Sequence, residues 1–208
     1  MEIIKKSILA IVAIGFFAFN TTAQTAEETQ KSFKASYVNE YKANYTGAIA
    51  DIQKVYKADS YECNLRLGWL QYLAKQYISS MEYYQKAIDL RKYSVEARFG
   101  YIKPANEAKK YDKVYTKYEE ILTIDLYNST ANYWVGVEYY NTKKFDIAVK
   151  YFELVVNMYP FDYDANHMLG WTYLSLGRIA EAKVVFNQAL NNRPGDASAT
   201  GGLEKCKF

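Results

Sequence analysis

His167 is the one histidine in a chain of 208 residues, so multi-histidine metal sites are excluded and any histidine-based triad depends on a single imidazole. No serine or cysteine nucleophile signature lies near it, which leaves it a lining or structural role. Two thiols, Cys63 and Cys206, are the other reactive side chains. Acidic pairs such as Glu119-Glu120 have lysines three or four residues away, the pattern of a solvated helix face. A glycine-rich phosphate loop and a dinucleotide fingerprint are both missing. The expected protein is not an enzyme and holds no cofactor and no metal. Nucleic acid is a poor partner too: net charge is +3, and basic residues form only short pairs such as Lys143-Lys144.

The elements that carry these side chains follow a fixed beat. Steps of 34 residues back from Asp196 land on Asp162, Asn128, Ser94 and Ser60. Each has a side-chain oxygen able to accept from the free N–H groups of a helix start, so they predict the N-caps of five successive helices. Acids follow in the first turn at Glu62, Glu96 and Asp164, where the helix dipole favours them. Four units result: 61–94, 95–128, 129–162 and 163–196. The third residue is small in each (Cys63, Ala97, Ala131, Ala165), and the eighth reads Gly68, Ile102, Gly136, Gly170. The twentieth reads Ser80, Val114, Ala148, Ala182, and the twenty-fourth is always aromatic: Tyr84, Tyr118, Phe152, Phe186. Small residues at eight and twenty let two antiparallel helices approach closely, and the aromatic fills the wedge toward the next unit.

This pattern resembles the tetratricopeptide repeat family over residues 61–196. The fullest unit matches LG-x2-Y-x3-G…A-x3-F-x2-A-x4-P at Leu169, Gly170, Tyr173, Gly177, Ala182, Phe186, Ala189 and Pro194. The tryptophan usual early in the first helix is replaced by Asn64, Arg98, Asn132 and Asn166. The resemblance implies an all-α, right-handed superhelical solenoid of antiparallel helix pairs. A degenerate helix pair is expected over 25–60, with Tyr45, Ala48 and Ile52 in second-helix positions. A short helix over 197–208 would cap the last apolar face, weakened by Gly201 and Gly202. The second unit departs most. Ile102 and Val114 should hold its helices further apart, and Pro104 removes a hydrogen bond inside its first helix and predicts a kink. Cys63 and Cys206 lie at opposite ends of a stack whose layers add on the order of 10 Å per helix, too far for a disulfide.

Residues 1–24 read as an export signal: Lys5 and Lys6 precede the apolar run Ile8 to Phe19, then small residues Thr21-Thr22-Ala23. The run is shorter than the ~20 residues needed to span a membrane. With no cysteine near the cleavage region for lipid attachment, the mature chain is expected to be periplasmic or secreted. Membrane contact would come only through an uncleaved signal segment.

In the resembled family, residues five, nine and twelve of each first helix line a concave groove, and helical spacing does place them on one face. Here they are Leu65, Trp69, Tyr72; Phe99, Lys103, Asn106; Tyr133, Val137, Tyr140; and His167, Trp171, Leu174. Six of the twelve are aromatic, where the chain-wide 17% predicts about two. Such rings either pack between first helices or form a binding strip for an extended peptide of apolar or proline-rich content. Lys103 and Asn106 are too few polar groups for the family's clamp on C-terminal carboxylates. The leading expectation is an interaction module or adaptor binding a peptide segment of an envelope protein. A structural or self-associating scaffold of an envelope complex, and carbohydrate binding through the aromatic strip, are the alternatives.

Overall fold

The computed structural model describes residues 25–207, so the export signal expected at 1–24 lies outside the described residues. The chain divides into two bodies, one ending at residue 57 and one starting at residue 58. In the first, α1 (Ala26–Tyr41) and α2 (Tyr45–Gln53) form a hairpin. Thr25 opens α1 with a capping box: the Glu28 N–H donates to its Oγ1 at 3.1 Å, and its own N–H donates to Glu28 Oε2 at 3.1 Å. Ala48 and Ile52 are fully buried. Asp51 accepts from Asn39 at 2.7 Å and from Lys54 at 2.6 Å, and the Lys54 ammonium holds its carboxyl below the usual range.

The second body is an all-α solenoid of four antiparallel helix pairs and a ninth helix, with no strand among the described residues. Its helices are α3 (Tyr61–Leu73), α4 (Tyr77–Leu90), α5 (Val95–Glu107), α6 (Tyr111–Ile124), α7 (Ser129–Asn141), α8 (Phe145–Met158), α9 (Tyr163–Ser175), α10 (Ile179–Asn192) and α11 (Ala197–Lys205). Every odd helix from α3 starts one residue after a position on the 34-residue beat. The five caps accept from the N–H three residues on: Ser60 at 3.2 Å, Ser94 at 3.0 Å, Asn128 at 3.1 Å, Asp162 at 2.7 Å and Asp196 at 2.8 Å. Helices α4, α6, α8 and α10 begin with no side-chain cap; a tight turn delivers the chain to them directly.

That turn requires a left-handed residue. Gly177 supplies it in the fourth unit at φ 72°, but the other three units place Lys75, Lys109 and Lys143 there at φ 60°, 55° and 58°. A Cβ in this region crowds the backbone, and glycine avoids the clash. Replacing all three lysines with glycine is expected to gain about 0.5–1 kcal/mol each, after allowing for glycine's greater freedom when unfolded. Calorimetry would then show a melting temperature raised by roughly 5 °C. Gly177→Ala should move it the other way.

Within this body α4, α6, α8 and α10 each pack against both their own partner and the next odd helix, which makes the stack continuous. The aromatic at position twenty-four is the wedge between them. A Cβ built on Gly170 would fall 2.6 Å from the Phe186 ring, and one on Gly202 would fall 2.3 Å from it. Tyr84 sits in the same way between Gly68 and Gly100, at 2.9 and 2.1 Å. Gly202 is therefore more than a weak point in α11: its missing side chain is the space that Phe186 fills. Helix α11 runs unbroken through both glycines.

Position four, where the tryptophan is absent, carries a buried polar staple. The Asn64 amide donates to the carbonyls of Ala58 and Ser60 at 3.0 and 2.7 Å. Asn132 does the same to Leu126 and Asn128, both at 2.9 Å, and Asn166 to Pro160 and Asp162 at 2.9 and 2.7 Å. Each amide ties the inter-unit loop to the first turn of the helix that follows: it donates to the outer carbonyl and adds a second donor to the inner one, which already accepts from the asparagine's own N–H.

The second unit solves the same problem with charge. Arg98 donates from Nη1 to the Ser94 carbonyl at 2.9 Å and from Nε to Glu120 at 3.0 Å, while Lys117 reaches the other Glu120 oxygen at 2.7 Å. Glu120 is thus a buttress for two buried cations, unlike the solvated residue its lysine spacing suggests; Glu119 is the exposed member of that pair. The helices of this unit are the least closely packed of the four pairs, as Ile102 and Val114 imply. Pro104 is buried, and α5 keeps the 13 residues of the other first helices despite it. Cys63 and Cys206 are both buried and are not joined in a disulfide.

Candidate binding groove

The first helices α3, α5, α7 and α9 carry the twelve residues singled out by spacing. Lys103 and Asn106 are exposed and the other ten are half-buried. Packing and exposure are therefore not alternatives: each ring rests on the core with one part and keeps another part open. Trp69 lies 5.6 Å from the Tyr72 ring, and Lys103 crosses from the next helix to place its ammonium 4.9 Å over Trp69. Tyr72 continues to Tyr77 at 6.2 Å. Phe99 meets Tyr118 edge-on at 6.3 Å, Tyr133 meets Phe152 at 5.9 Å, and Tyr140 meets Phe145 at 5.3 Å. Leu65 packs against the core of the first units, and Val137 and Leu174 against that of the last two. Burial pushes the Tyr133 phenol up to about 12, with Asp164 and Asp162 adding to it. The Tyr133 phenol is therefore a neutral donor at physiological pH.

At the last unit α11 engages the same positions. The Trp171 indole donates to His167 Nε2 at 3.1 Å, and Ser198 Oγ lies 2.8 Å from that nitrogen. Lys205 stands 5.0 Å over the Trp171 ring, and Tyr163 stacks on His167 at 5.4 Å. The indole N–H only donates, and both His167 Nε2 and Ser198 Oγ, the latter at 3.3 Å, stand within its reach. His167 and Trp171 thus join the fourth unit to the terminal helix.

Burial lowers the His167 pKa, while Asp196 and Asp164 raise it and Arg193 lowers it. A base held neutral in the folded state stabilises fully above its unfolded pKa of about 6.5 and loses that contribution as pH falls through the lower folded value. Melting temperature is expected to hold flat from pH 8 to about 7 and to fall below about 6.5, before carboxylates titrate. His167→Gln should remove that slope while leaving the acid limb.

Spacing alone overlooked a cleft of about 370 Å³ in the second unit. Tyr72, Lys103, Asn106 and Glu107 border it with Tyr111, Tyr115 and Trp134, and Ile102, Val114 and Tyr118 complete its lining. Trp134 stacks on Tyr118 at 6.3 Å with an interplanar angle of 15° and remains 41% exposed. Burial pushes the Tyr118 phenol up to about 12. One signal was available: position six is Gly100 and Gly202 beside the wedges Tyr84 and Phe186, but Trp134 beside Tyr118. Here a ring covers the wedge that backbone covers at Gly100 and Gly202, and Met168 holds this position in the fourth unit.

A tetratricopeptide repeat family model matches residues 61–93, 129–162 and 163–196, three of the four units described above. The chain belongs to the tetratricopeptide repeat family. As such it is a protein-interaction module, on a fold that is typically a non-enzymatic scaffold. The second unit, with Ile102, Pro104 and Val114, lies outside the matched residues. No curated protein matches the sequence. Among solved structures, MamA protein is similar at a TM-score of 0.68 and 22% identity, over 83% of this chain and 96% of that one. A tetratricopeptide repeat protein from Parabacteroides merdae has a TM-score of 0.71 and 15% identity, over 88% and 73%. YrrB has a TM-score of 0.69 and 14% identity, over 90% and 98%. At these identities the likeness is one of fold.

Proposed function

We propose that this tetratricopeptide repeat chain is exported and acts as an adaptor, holding an extended segment of an envelope protein against its first helices. The observation that carries this reading is the run of half-open rings from Trp69 to Tyr140, each braced by the core and each with a polar tip or an open face. Rings fixed in this way lose little conformational freedom on binding. YrrB, of the same fold, is described as having an unusual peptide-binding site. The apolar run ahead of Thr21-Thr22-Ala23 supports export. Fractionation with sequencing of the mature N-terminus tests that half: a cytoplasmic, unprocessed chain would end it. For the groove, Trp69→Ala/Tyr133→Ala protein should lose its partner in crosslinking and pull-down from the cell envelope while circular dichroism stays unchanged. Undiminished capture by a folded variant would overturn the groove.

A second reading is favoured by a different feature. Tyr93, Tyr127 and Phe161 occupy position thirty-three of three successive units and are 85%, 64% and 66% exposed. Apolar rings repeated at one register suit a self-associating scaffold. Light scattering across concentration, with all three changed to serine, decides it: a monomer at every concentration removes this reading.

A further inference from the structure

The cleft beside the second unit is built from departures in that unit and at the start of the third. Ile102 and Val114 stand where the other units have glycine, alanine or serine, and Trp134 stands where Gly100 and Gly202 let backbone close over the wedge ring. The result is an aromatic recess with Tyr72, Tyr111, Tyr115 and Trp134 around it.

Among its rings the one group that only donates is the Trp134 indole. The Trp134 indole N–H and the Asn106 side-chain amide have no partner among the described residues. Tyr115 is engaged by Glu138. On the border, the charges of Lys103 and Glu107 offset each other, and Lys103 is drawn over Trp69. The recess therefore offers flat rings with open donors at Trp134 and Asn106, beside the acceptor oxygens of Asn106 and Glu107, and no net charge to attract an ion.

A ligand that complements the rings and the Trp134 donor has apolar rings of its own and carbonyls to accept. A polyproline-II segment has those properties: its prolines lack N–H, its carbonyls carry no internal hydrogen bonds, and its conformation is set before binding. We propose that this cleft binds a proline-rich segment of the partner, with proline rings against Tyr72, Tyr111 and Trp134 and peptide carbonyls accepting from Trp134 Nε1 and Asn106. The proposal rests on the peptide-groove reading and adds the class of sequence selected.

The test is calorimetric titration of the purified protein with a proline-rich peptide of about ten residues, against the same peptide with its prolines changed to alanine. A third peptide carries trimethyl-lysine, the alternative guest of an aromatic cage. The proline-rich peptide should bind at least roughly tenfold tighter than either. Asn106→Ala, at an exposed position, and Trp134→Phe, which keeps a ring but removes the N–H, should each weaken it several-fold. Equal binding of the first two peptides, preference for trimethyl-lysine, or proline binding indifferent to both variants would overturn the proposal. Should the alanine peptide bind equally and lose affinity in Trp69→Ala/Tyr133→Ala, the groove stands and the proline pocket falls. If no peptide binds and envelope capture ignores the groove variants, both fall.

Discussion

Phe186→Ala is expected to destabilise the second body by about 3–5 kcal/mol, the usual consequence of emptying a fully buried aromatic site. The position leaves little room for relaxation. The ring is held between Gly170 on its own partner helix and Gly202 on the terminal helix, and it touches the Trp171 ring at 5.4 Å. Its removal opens a void shared by α9, α10 and α11. Helix α11 contains two glycines and is only nine residues long, so it depends on that contact to stay docked. Chemical denaturation should show the loss in stability, and hydrogen exchange should show α11 amides losing protection first. Phe186→Leu, which fills much of the space, should cost less than half as much. If Phe186→Ala left both stability and α11 protection unchanged, the wedge account of the stack would be wrong.

Glu120→Ala is the second large effect, expected to cost about 2–4 kcal/mol. Arg98 and Lys117 are 8% and 9% exposed, and both direct their charge at this one carboxylate. Without it, two cations remain in a mostly dehydrated site with no counter-charge. Glu120 is itself about a third exposed, which admits some water and places the figure below that of a sealed pair. Arg98→Asn is the informative control. It removes one cation and installs the amide that the other three units carry at this position, so its cost should be much smaller than that of Glu120→Ala. Urea denaturation of both variants measures the difference. Equal losses would mean that the carboxylate's partners contribute nothing beyond filling space.

The repeat was legible because its signals are local and periodic. A cap needs only an oxygen at the right residue, and Ser60, Ser94, Asn128, Asp162 and Asp196 show it at one spacing. The small and aromatic positions follow the same beat, since every unit must pack against a near copy of itself. The fourth-position asparagines were read only as missing tryptophans. Their function depends on carbonyls four and six residues back, which converge on one amide only after the loop has folded. Glu120 was misread for a related reason: its lysine neighbour is local, but Arg98 lies 22 residues away on another helix.

The same division holds for the candidate site. Helical spacing by itself determined which twelve residues share the face of the first helices, because a period of 3.6 residues is a property of the backbone. Tertiary structure decided their fates. Terminal helix α11 engages His167 and Trp171 through Ser198 and Lys205, whereas at Trp69 the lysine comes from the next first helix, as Lys103. It also decided that Trp134, outside the spaced set, borders a cleft with Tyr72 from one unit and Tyr111 from another. Adjacency across units depends on how far two helices stand apart, and that distance is set by the summed volumes of facing side chains. No single position in the chain records it.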